Sequence, residues 1–357
     1  MPDLRPLEIR EEAELWAGAD HNASQVTATV VIPVYCADAT LARAARSALS
    51  QSLEDIELIL VDDGSTDGSW EIIADLLRAD ARVRGLRHRG NRGKSVAMNR
   101  AMALTRGRWM AVLDADDWYH PDRLRHLISL GEARQADLVA DNQFLFDAAA
   151  GQVVGTAWQA AHSWWNLDFD DFLIGSDAYQ SFNLGMLKPV LRTDFMREAA
   201  LRYEESARQG EDFFHLLQFY LAGGRAVISD TPYYFYTQPF GAVSRQWSHA
   251  GRSRYDFQNA HDITLRYLDR AALSGWQRRR LTARQDRLQS LEIYFRAKSA
   301  FEKRDWRAAA ALIGSHPGAL FYLLRRLYGR LLPQAPRGIQ RLAERARRRI
   351  YADQRGQ

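Results

Sequence analysis

The sequence predicts an α/β fold in which a mostly parallel sheet is flanked by helices and followed by a C-terminal helical extension. Apolar runs rich in β-branched residues alternate with segments of helical spacing, which is typical of a parallel sheet with right-handed crossovers. Polar residues gather directly after each apolar run, at the edge where open α/β sheets bind ligands. From about residue 250 to 312 the pattern is helical, with arginine-rich polar faces.

The first two strand–helix units lie near the N-terminus. Residues 28–35 (ATVVIPVY) predict a buried strand, and residues 40–52 carry apolar side chains at helical spacing. Residues 56–61 repeat the strand pattern. Two aspartates and a turn rich in glycine, serine and threonine follow, and a helix is predicted from about Trp70.

Two further units complete the predicted sheet. A strand in VRGLRH is followed by a glycine-rich loop and by a helix from about Lys94. A strand in RWMAVL is followed by LDADDW and by a helix with Pro121 near its first position. After about residue 140 the alternation weakens, although RAVISD has the pattern of one more strand. The predicted domains are an N-terminal extension (1–26), a main domain (27–248, in two halves that meet at about residue 140) and a helical C-terminal region (249–357).

Composition restricts the class of protein. Of the 357 residues, 46% are hydrophobic and 26% are charged, which is ordinary for a globular chain. The single cysteine, Cys36, excludes a disulfide framework and a cysteine zinc site, and it favours a reducing, cytoplasmic location. The N-terminal residues do not have the pattern of a signal peptide, and no stretch approaches the roughly 18 apolar residues of a membrane span.

The charge is distributed unevenly along the chain. The net charge is +4, but residues 321–357 hold ten arginines against Glu344 and Asp353. This basic, amphipathic tail predicts peripheral contact with the anionic inner face of a cell membrane, or else a solvated helical face. Since no recognition module accompanies the charge, no nucleic-acid partner is predicted.

Carboxylates follow two of the predicted strands. Asp114, Asp116 and Asp117 fall within four positions of LDADDW, where like charges repel unless a cation or hydrogen-bond donors hold them. They form either a turn that caps the next helix or a site for Mg²⁺ or Mn²⁺ beside phosphate oxygens. Asp62 and Asp63 only accept hydrogen bonds when ionised, which suits a nucleobase N–H or ribose hydroxyls.

The loop NRGKS suits an anion. Asn91, Gly93 and Ser95 begin a helix whose free N–H groups would face the ligand edge. Lys94 would add positive charge beside a bound anion such as phosphate. The alternative is a capped surface helix on which Lys94 is only solvated.

Four motifs carry a family resemblance. Over roughly residues 27–245 the chain contains, in this order, VVIPVYCADATLARAARSALSQSLEDIELILVDDGSTDGSWEI, NRGKSVAMNRAM, LDADD and GEDFF. In this order and spacing the chain resembles the family 2 glycosyltransferases, which have the Rossmann-like GT-A fold. The chain is also similar to bacterial exopolysaccharide glucosyltransferases of the succinoglycan type, in two segments: LGMLKPVLRTDF and GEDFFHLLQFYLAGGRAVISDTPYYFYT.

The resemblance implies a nucleotide-binding half at about 27–140, an acceptor half at about 141–248, a donor site and a metal site. Asp116, with Asp114, would hold Mg²⁺ or Mn²⁺, and we expect Asp117 to cap the helix that follows. The residues implied to bind the nucleotide sugar are Pro33, Tyr35, Asp38, Asp62, Asp63, Asn91, Gly93, Lys94, Ser95, Asp114 and Ala115. The family usually has Asn and Glu where this chain has Cys36 and Asp38, so the first position departs from the pattern and the second is conservative.

The resemblance also implies the catalytic residues. Asp212 of GEDFF would be the general base that takes the proton of the acceptor hydroxyl, with Glu211 in support. Taken alone, this pair is typical of acidic residues at a helix N-terminus. The family inverts the anomeric centre in one displacement, so no covalent nucleophile is expected. Four aromatic residues would stack on sugar rings or pack in the core: Trp164, Trp165, Tyr179 and Trp247.

The predicted function is an inverting, metal-dependent glycosyltransferase. It would move a hexose, expected to be glucose from UDP-glucose, onto a lipid-linked oligosaccharide or a growing exopolysaccharide or other cell-surface glycan. A sugar nucleotidyltransferase is one alternative, but it needs a glycine-rich, lysine-bearing loop after the first strand, which VIPVYCADATL lacks. A non-catalytic nucleotide-sugar-binding protein is the other, and it would bind UDP without metal-stimulated turnover.

Overall fold

A computed structural model of the protein describes residues 8–10, 13–17, 26–159, 162–176, 183–238, 256–270, 272–316 and 318. The strands are β1 (Glu8–Arg10), β2 (Ala13–Ala17), β3 (Ala28–Val34), β4 (Ile56–Asp62), β5 (Val83–His88), β6 (Trp109–Val112), β7 (Trp118–Tyr119), β8 (Leu138–Asp147), β9 (Gln152–Thr156), β10 (Trp164–Leu167), β11 (Val190–Arg192) and β12 (Ala226–Gln238). The helices are α1 (Asp38–Leu49), α2 (Ser69–Ala79), α3 (Lys94–Leu104), α4 (Arg123–Arg134), α5 (Phe169–Gly175), α6 (Thr193–Glu198), α7 (Glu211–Leu221), α8 (Phe257–Arg270), α9 (Gly275–Glu302) and α10 (Trp306–Ser315).

One sheet organises the fold. Its strand order is β1-β2-β5-β4-β3-β6-β11-β8-β12-β10, with β7 paired to β12 and β9 paired to β8. The four predicted strands β5, β4, β3 and β6 are parallel, and β8 pairs with β12 in parallel; the other pairs are antiparallel. The order of the parallel strands reverses between β3 and β6, which is where ligands bind in open α/β sheets. The predicted α/β class is confirmed.

Burial explains why the central strands were predictable. Every residue of β4 is buried, and β3 is buried except at Pro33, because helices cover both faces of the sheet. Strands of this kind have nearly continuous apolar runs. One core packs against α1, α2 and α4, and the other packs against α3, α5, α7 and the C-terminal helices.

The ends of the chain extend this plan. Residues 13–17, from the predicted N-terminal extension, pair with β5 at the edge of the sheet. The predicted helical region contains α8, α9 and α10, and buried Ala260 and Ile263 of α8 join the same core as α7. The basic tail, residues 321–357, lies outside the described residues. Among the helices of the described part of the chain, none combines the length and the apolar character that crossing a bilayer requires.

Candidate active site

The segment Asp114–Asp117, which we call the D-x-D loop, follows β6 and is held by β12. The Tyr234 hydroxyl donates to the Asp117 carboxylate over 2.6 Å and accepts from the Asp114 N–H over 3.2 Å. Thr237 donates its backbone N–H to the Asp117 carboxylate over 2.8 Å and its hydroxyl to the Asp116 carbonyl over 2.6 Å. A buried tyrosine and a buried threonine thus fix the conformation of the loop.

The expectation that Asp117 caps the following helix is wrong. Both of its carboxylate oxygens accept hydrogen bonds from β12, and the side chain is almost completely buried. Burial, and then the neighbouring Asp116 and Asp114 carboxylates, raise its pKa well above the ordinary value. The helix α4 begins at Arg123, with Asp122 as its N-cap. Asp117 is therefore part of the support of the loop.

Two lysines link the D-x-D loop to the start of α7. Lys188 Nζ lies 2.6 Å from Asp114 Oδ2 and 2.8 Å from Asp212 Oδ2. Lys94 Nζ lies 3.1 Å from Asp114 Oδ1, 3.2 Å from Asp212 Oδ2 and 3.4 Å from Glu211 Oε1. Asp114, Asp212, Lys94 and Lys188, which we call the carboxylate–lysine cluster, therefore face one common space.

The members of the carboxylate–lysine cluster stabilise one another in their charged forms. Burial alone would raise the pKa of Asp114, yet the ammonium groups of Lys188 and Lys94 bring it well below its ordinary value. Burial also raises the pKa of Asp212, but the ammonium groups of Lys188 and Lys94 lower it by more, so the pKa of Asp212 is below its ordinary value. Burial would lower the pKa of each lysine, and the carboxylates raise it instead. Asp212 is an ionised carboxylate at neutral pH, as a proton acceptor must be.

Asp116 differs from its neighbours on the D-x-D loop. No side chain in the described part of the chain forms a hydrogen bond or ion pair with its carboxylate. Burial, and then the negative charge of Asp114, raise the pKa of Asp116. One oxygen from each of Asp114, Asp116 and Asp117 lies within 4.8 Å of the others. An all-oxygen donor set that includes a carboxylate with no paired side chain among the described residues fits a hard divalent cation such as Mg²⁺ or Mn²⁺.

Asp63 shapes the loop that precedes α3. Its carboxylate accepts from the Arg92 N–H over 2.9 Å and the Gly93 N–H over 2.8 Å, and His88 Nδ1 lies 2.8 Å from it. Gly64 has φ of 71°, and a Cβ there would lie 2.5 Å from the Gly90 carbonyl carbon. Only glycine allows the loops after β4 and β5 to approach this closely.

The start of α3 also reaches the site. Asn91 is exposed, and Gly93, with φ of 92°, precedes the first helical residue, Lys94. Ser95 is buried, and its hydroxyl has no hydrogen-bond partner within the described residues. Because Lys94 takes part in the carboxylate–lysine cluster, the alternative of a merely solvated lysine is wrong.

The turn after β3 is tied to the loop after β4. The backbone N–H groups of Cys36, Ala37 and Asp38 donate to Ser65, Ser69 and Asp67 over 3.0, 2.9 and 3.1 Å. Tyr35 is 38% exposed and Pro33 half-buried at the end of this strand, whereas Asp62 is fully buried and accepts from the Ser65 N–H over 3.0 Å. Ala115 is buried within the D-x-D loop. The predicted nucleotide-sugar residues thus lie at or after the carboxyl ends of β3, β4, β5 and β6, and their contacts with a donor stay a prediction.

Comparison with known proteins identifies the family. A family profile described as "Glycosyl transferase family 2" matches residues 29–180. The succinoglycan biosynthesis protein ExoU of Rhizobium meliloti (strain 1021) is 31% identical over 258 residues, which cover 71% of each chain. The chain belongs to glycosyl transferase family 2. The succinoglycan biosynthesis protein ExoO of the same strain is 33% identical over 220 residues, or 61% of this chain and 62% of that one. The predictions of a glycosyltransferase and of a likeness to exopolysaccharide enzymes are confirmed.

Solved structures show the same fold. The mannosyltransferase PcManGT from Pyrobaculum calidifontis, in complex with GDP-Man and Mn²⁺, has a TM-score of 0.55 at 16% identity and covers 87% of this chain and 81% of its own. Residues 1–349 of S. aureus TarS, in complex with UDP-GlcNAc, have a TM-score of 0.54 at 16% identity, and the match covers 74% of this chain and 70% of that one. The predicted GT-A fold of this family 2 glycosyltransferase is confirmed.

Sequence reasoning did not single out Lys188 of this glycosyltransferase. Lys188 precedes β11, and its backbone carbonyl accepts from the Arg123 guanidinium over 2.5 Å. Arg123 is fully buried and pairs with Asp141 over 2.7 Å, with the Tyr119 ring 4.3 Å away. A buried arginine–carboxylate pair therefore fixes the backbone that carries Lys188.

The predicted aromatic residues are placed in part. Trp165 is buried and contacts Trp158 edge to face, with ring centroids 5.9 Å apart. The guanidinium of Arg134 lies 3.6 Å from the Trp164 ring centroid. Trp165 therefore packs in the core instead of stacking on a sugar. Tyr179 and Trp247 lie outside the described residues.

A buried histidine on α7 predicts acid sensitivity of the fold. His215 stacks on Tyr203 with ring centroids 4.2 Å apart, and burial lowers its pKa to about 4. The unfolded chain takes up this proton near pH 6.5 and the folded chain only near pH 4, so stability falls as the pH drops through this window. The loss amounts to roughly 3 kcal/mol.

The measurement is denaturant unfolding of the wild type and His215→Phe between pH 7 and pH 4. His215→Phe keeps an aromatic ring for Tyr203 and has no proton to bind. We expect the variant to lose less stability than the wild type over this range. Equal losses would show that His215 does not contribute.

Proposed function

We propose that this glycosyltransferase moves a hexose from a nucleotide sugar, with UDP-glucose as the expected donor, onto a lipid-linked oligosaccharide or a growing exopolysaccharide, with inversion in one displacement. The carboxylate–lysine cluster is the observation that carries the proposal. Through Lys94 and Lys188, the D-x-D loop and the predicted base Asp212 face the same space. This space lies at the carboxyl edge of the sheet, beside the reversal of strand order.

The charges of the site suit this chemistry. As an acceptor hydroxyl attacks the anomeric carbon, the ionised Asp212 takes its proton and the nucleoside diphosphate leaves with the electron pair of the broken bond. Lys94 and Lys188 lie where they can stabilise negative charge on the departing diphosphate. Glu211, 3.4 Å from Lys94, adds a further anchor for that lysine. Asp116, with Asp114, would hold Mg²⁺ or Mn²⁺, which offsets the diphosphate charge when bound.

Three relatives support the choice of donor and acceptor. ExoU and ExoO are named as succinoglycan biosynthesis proteins. The UDP-Glc:alpha-D-GlcNAc-diphosphoundecaprenol beta-1,3-glucosyltransferase WfaP of Escherichia coli is 30% identical over 117 residues, or 33% of this chain and 46% of that one. A lipid-linked acceptor would place the enzyme at the cytoplasmic face of the membrane, with the basic tail, residues 321–357, as the expected contact.

A panel of nucleotide sugars tests the proposal. Thermal stabilisation by UDP-, GDP- and dTDP-sugars is measured with and without Mn²⁺, and each stabilising donor is then assayed for hexose transfer to a diphosphate-lipid acceptor. We expect UDP-glucose to stabilise the protein most, and transfer to require the divalent cation. Stabilisation by UDP with no turnover on any acceptor would favour the non-catalytic alternative, and preference for GDP-mannose would overturn the choice of donor.

A further inference from the structure

The loop that leads into the base-bearing helix α7, residues 203–210, is held on one side by α3. Asn99 accepts from the Tyr203 N–H over 2.8 Å and donates to the Tyr203 carbonyl over 2.9 Å. It also donates to the Glu205 carboxylate over 2.9 Å. Because α3 begins with Lys94, this link relates the loop to the same helix that supplies one lysine of the cluster.

The other side of the loop is held by α8, from the C-terminal region. The Asn259 side chain accepts from the Arg208 N–H over 3.0 Å and donates to the Ser206 carbonyl over 2.8 Å. One amide thus satisfies two backbone groups of the loop. Arg266, two turns further along α8, donates to the Ser206 hydroxyl over 2.6 Å and lies 3.3 Å from the Glu204 carboxylate.

The loop 203–210 leads directly into α7, the helix that carries the predicted base Asp212. Gly210 has φ of 74° and is the N-cap of α7, so the loop sets where α7 begins, and Asp212 is its second residue. Helix α8 also runs beside α7. Gln218 donates to the Tyr267 hydroxyl over 2.7 Å, and the Phe214 and Tyr267 rings are nearly parallel, with centroids 5.9 Å apart.

We propose that α8 positions the base: Asn259, through its two hydrogen bonds to the backbone of the loop, fixes the place of Asp212 relative to the D-x-D loop. The inference rests on the proposed function, in which Asp212 takes the acceptor proton. The ion pairs of Asp212 with Lys94 and Lys188 direct the carboxylate but do not fix the backbone from which it projects. Small displacements of a catalytic group cost rate, and they leave donor binding intact when the donor is held elsewhere. Asn259 is then a positioning residue.

The test compares Asn259→Ala with Gln258→Ala. Gln258 is the exposed neighbour on α8 and hydrogen-bonds only to Asp262 of its own helix among the described residues, so it is the matched control. We expect Asn259→Ala to lower kcat about tenfold, with the affinity for UDP unchanged, and Gln258→Ala to behave as the wild type. Asn259→Asp keeps the acceptor for the Arg208 N–H and loses the donor to Ser206, so an intermediate kcat is expected.

The outcomes separate this inference from the proposed function. If the wild type transfers hexose and Asn259→Ala has an unchanged kcat, the positioning role is wrong and the proposed function stands. A parallel loss of kcat and UDP affinity would indicate a general structural defect and would also overturn the positioning role. If Asn259→Ala does not fold, Asn259→Asp decides by the same two measurements. A wild type that transfers no sugar from any donor overturns both.

Discussion

Asp212→Asn is expected to reduce kcat for hexose transfer by about 10² to 10⁴-fold, the usual contribution of a general base. The substitution keeps the size of the side chain and removes the group that accepts the proton. It also frees Lys94 and Lys188 from one of their carboxylates, while Asp114 remains within 3.1 and 2.6 Å of them. We therefore expect UDP to bind at least as tightly as in the wild type. The measurement is steady-state transfer alongside calorimetric titration of UDP.

Asp194→Asn is the matched control for this experiment. Asp194 lies on α6 with a side chain that is 79% exposed, and its only ion pair among the described residues is a 3.9 Å contact with Arg197. Its kcat should equal that of the wild type. If Asp212→Asn transfers hexose at a comparable rate, Asp212 is not the base. A loss of UDP affinity equal to the loss of kcat would place it in donor binding instead.

The parallel half of the fold was predictable because its signal is local. Strands β3, β4 and β6 are buried along their length, so each carries its own apolar run, and a helix of regular spacing follows each of them along the chain. The strand β11 is only three residues long and lies between β6 and β8, and β7 has two residues. Such short strands are defined by their partners in space, and the pattern of the sequence does not reveal those partners.

The candidate site was predictable to the same extent. Asp62 and Asp63 lie at the end of β4, and Asp114 and Asp116 lie just after β6, so the rule that ligands bind at carboxyl ends predicted them. Three supporting residues reach the site over long separations in sequence: Lys188, just before β11, and Tyr234 and Thr237 of β12. One signal was present for Lys188: a lysine between apolar segments is rarely buried unless it is paired. Asp117 was misassigned because its closeness to α4 in sequence suggested a cap. Its carboxylate instead accepts a hydrogen bond from Tyr234, which is distant in sequence.

Asp116→Ala is the second change for which we expect a large effect. No side chain in the described part of the chain forms a hydrogen bond or ion pair with the Asp116 carboxylate, and burial next to Asp114 disfavours its charge. A divalent cation relieves this cost, so removing the carboxylate should weaken Mn²⁺ binding and lower metal-stimulated transfer by about 100-fold or more. Binding of Mn²⁺ in the presence of UDP, followed by electron paramagnetic resonance, gives a readout that does not depend on activity.

Two comparisons distinguish a metal ligand from a support of the loop. Asp75→Ala removes an 81% exposed carboxylate on α2 and should change neither Mn²⁺ binding nor transfer. Asp117→Asn leaves a single amide oxygen for two donors, the Tyr234 hydroxyl and the Thr237 N–H, so we expect it to lower thermal stability, which Asp116→Ala should leave close to that of the wild type. Undiminished Mn²⁺ binding in Asp116→Ala would exclude it as the ligand. A lost Mn²⁺ signal with the fold intact would instead support Asp116 as a ligand of the cation.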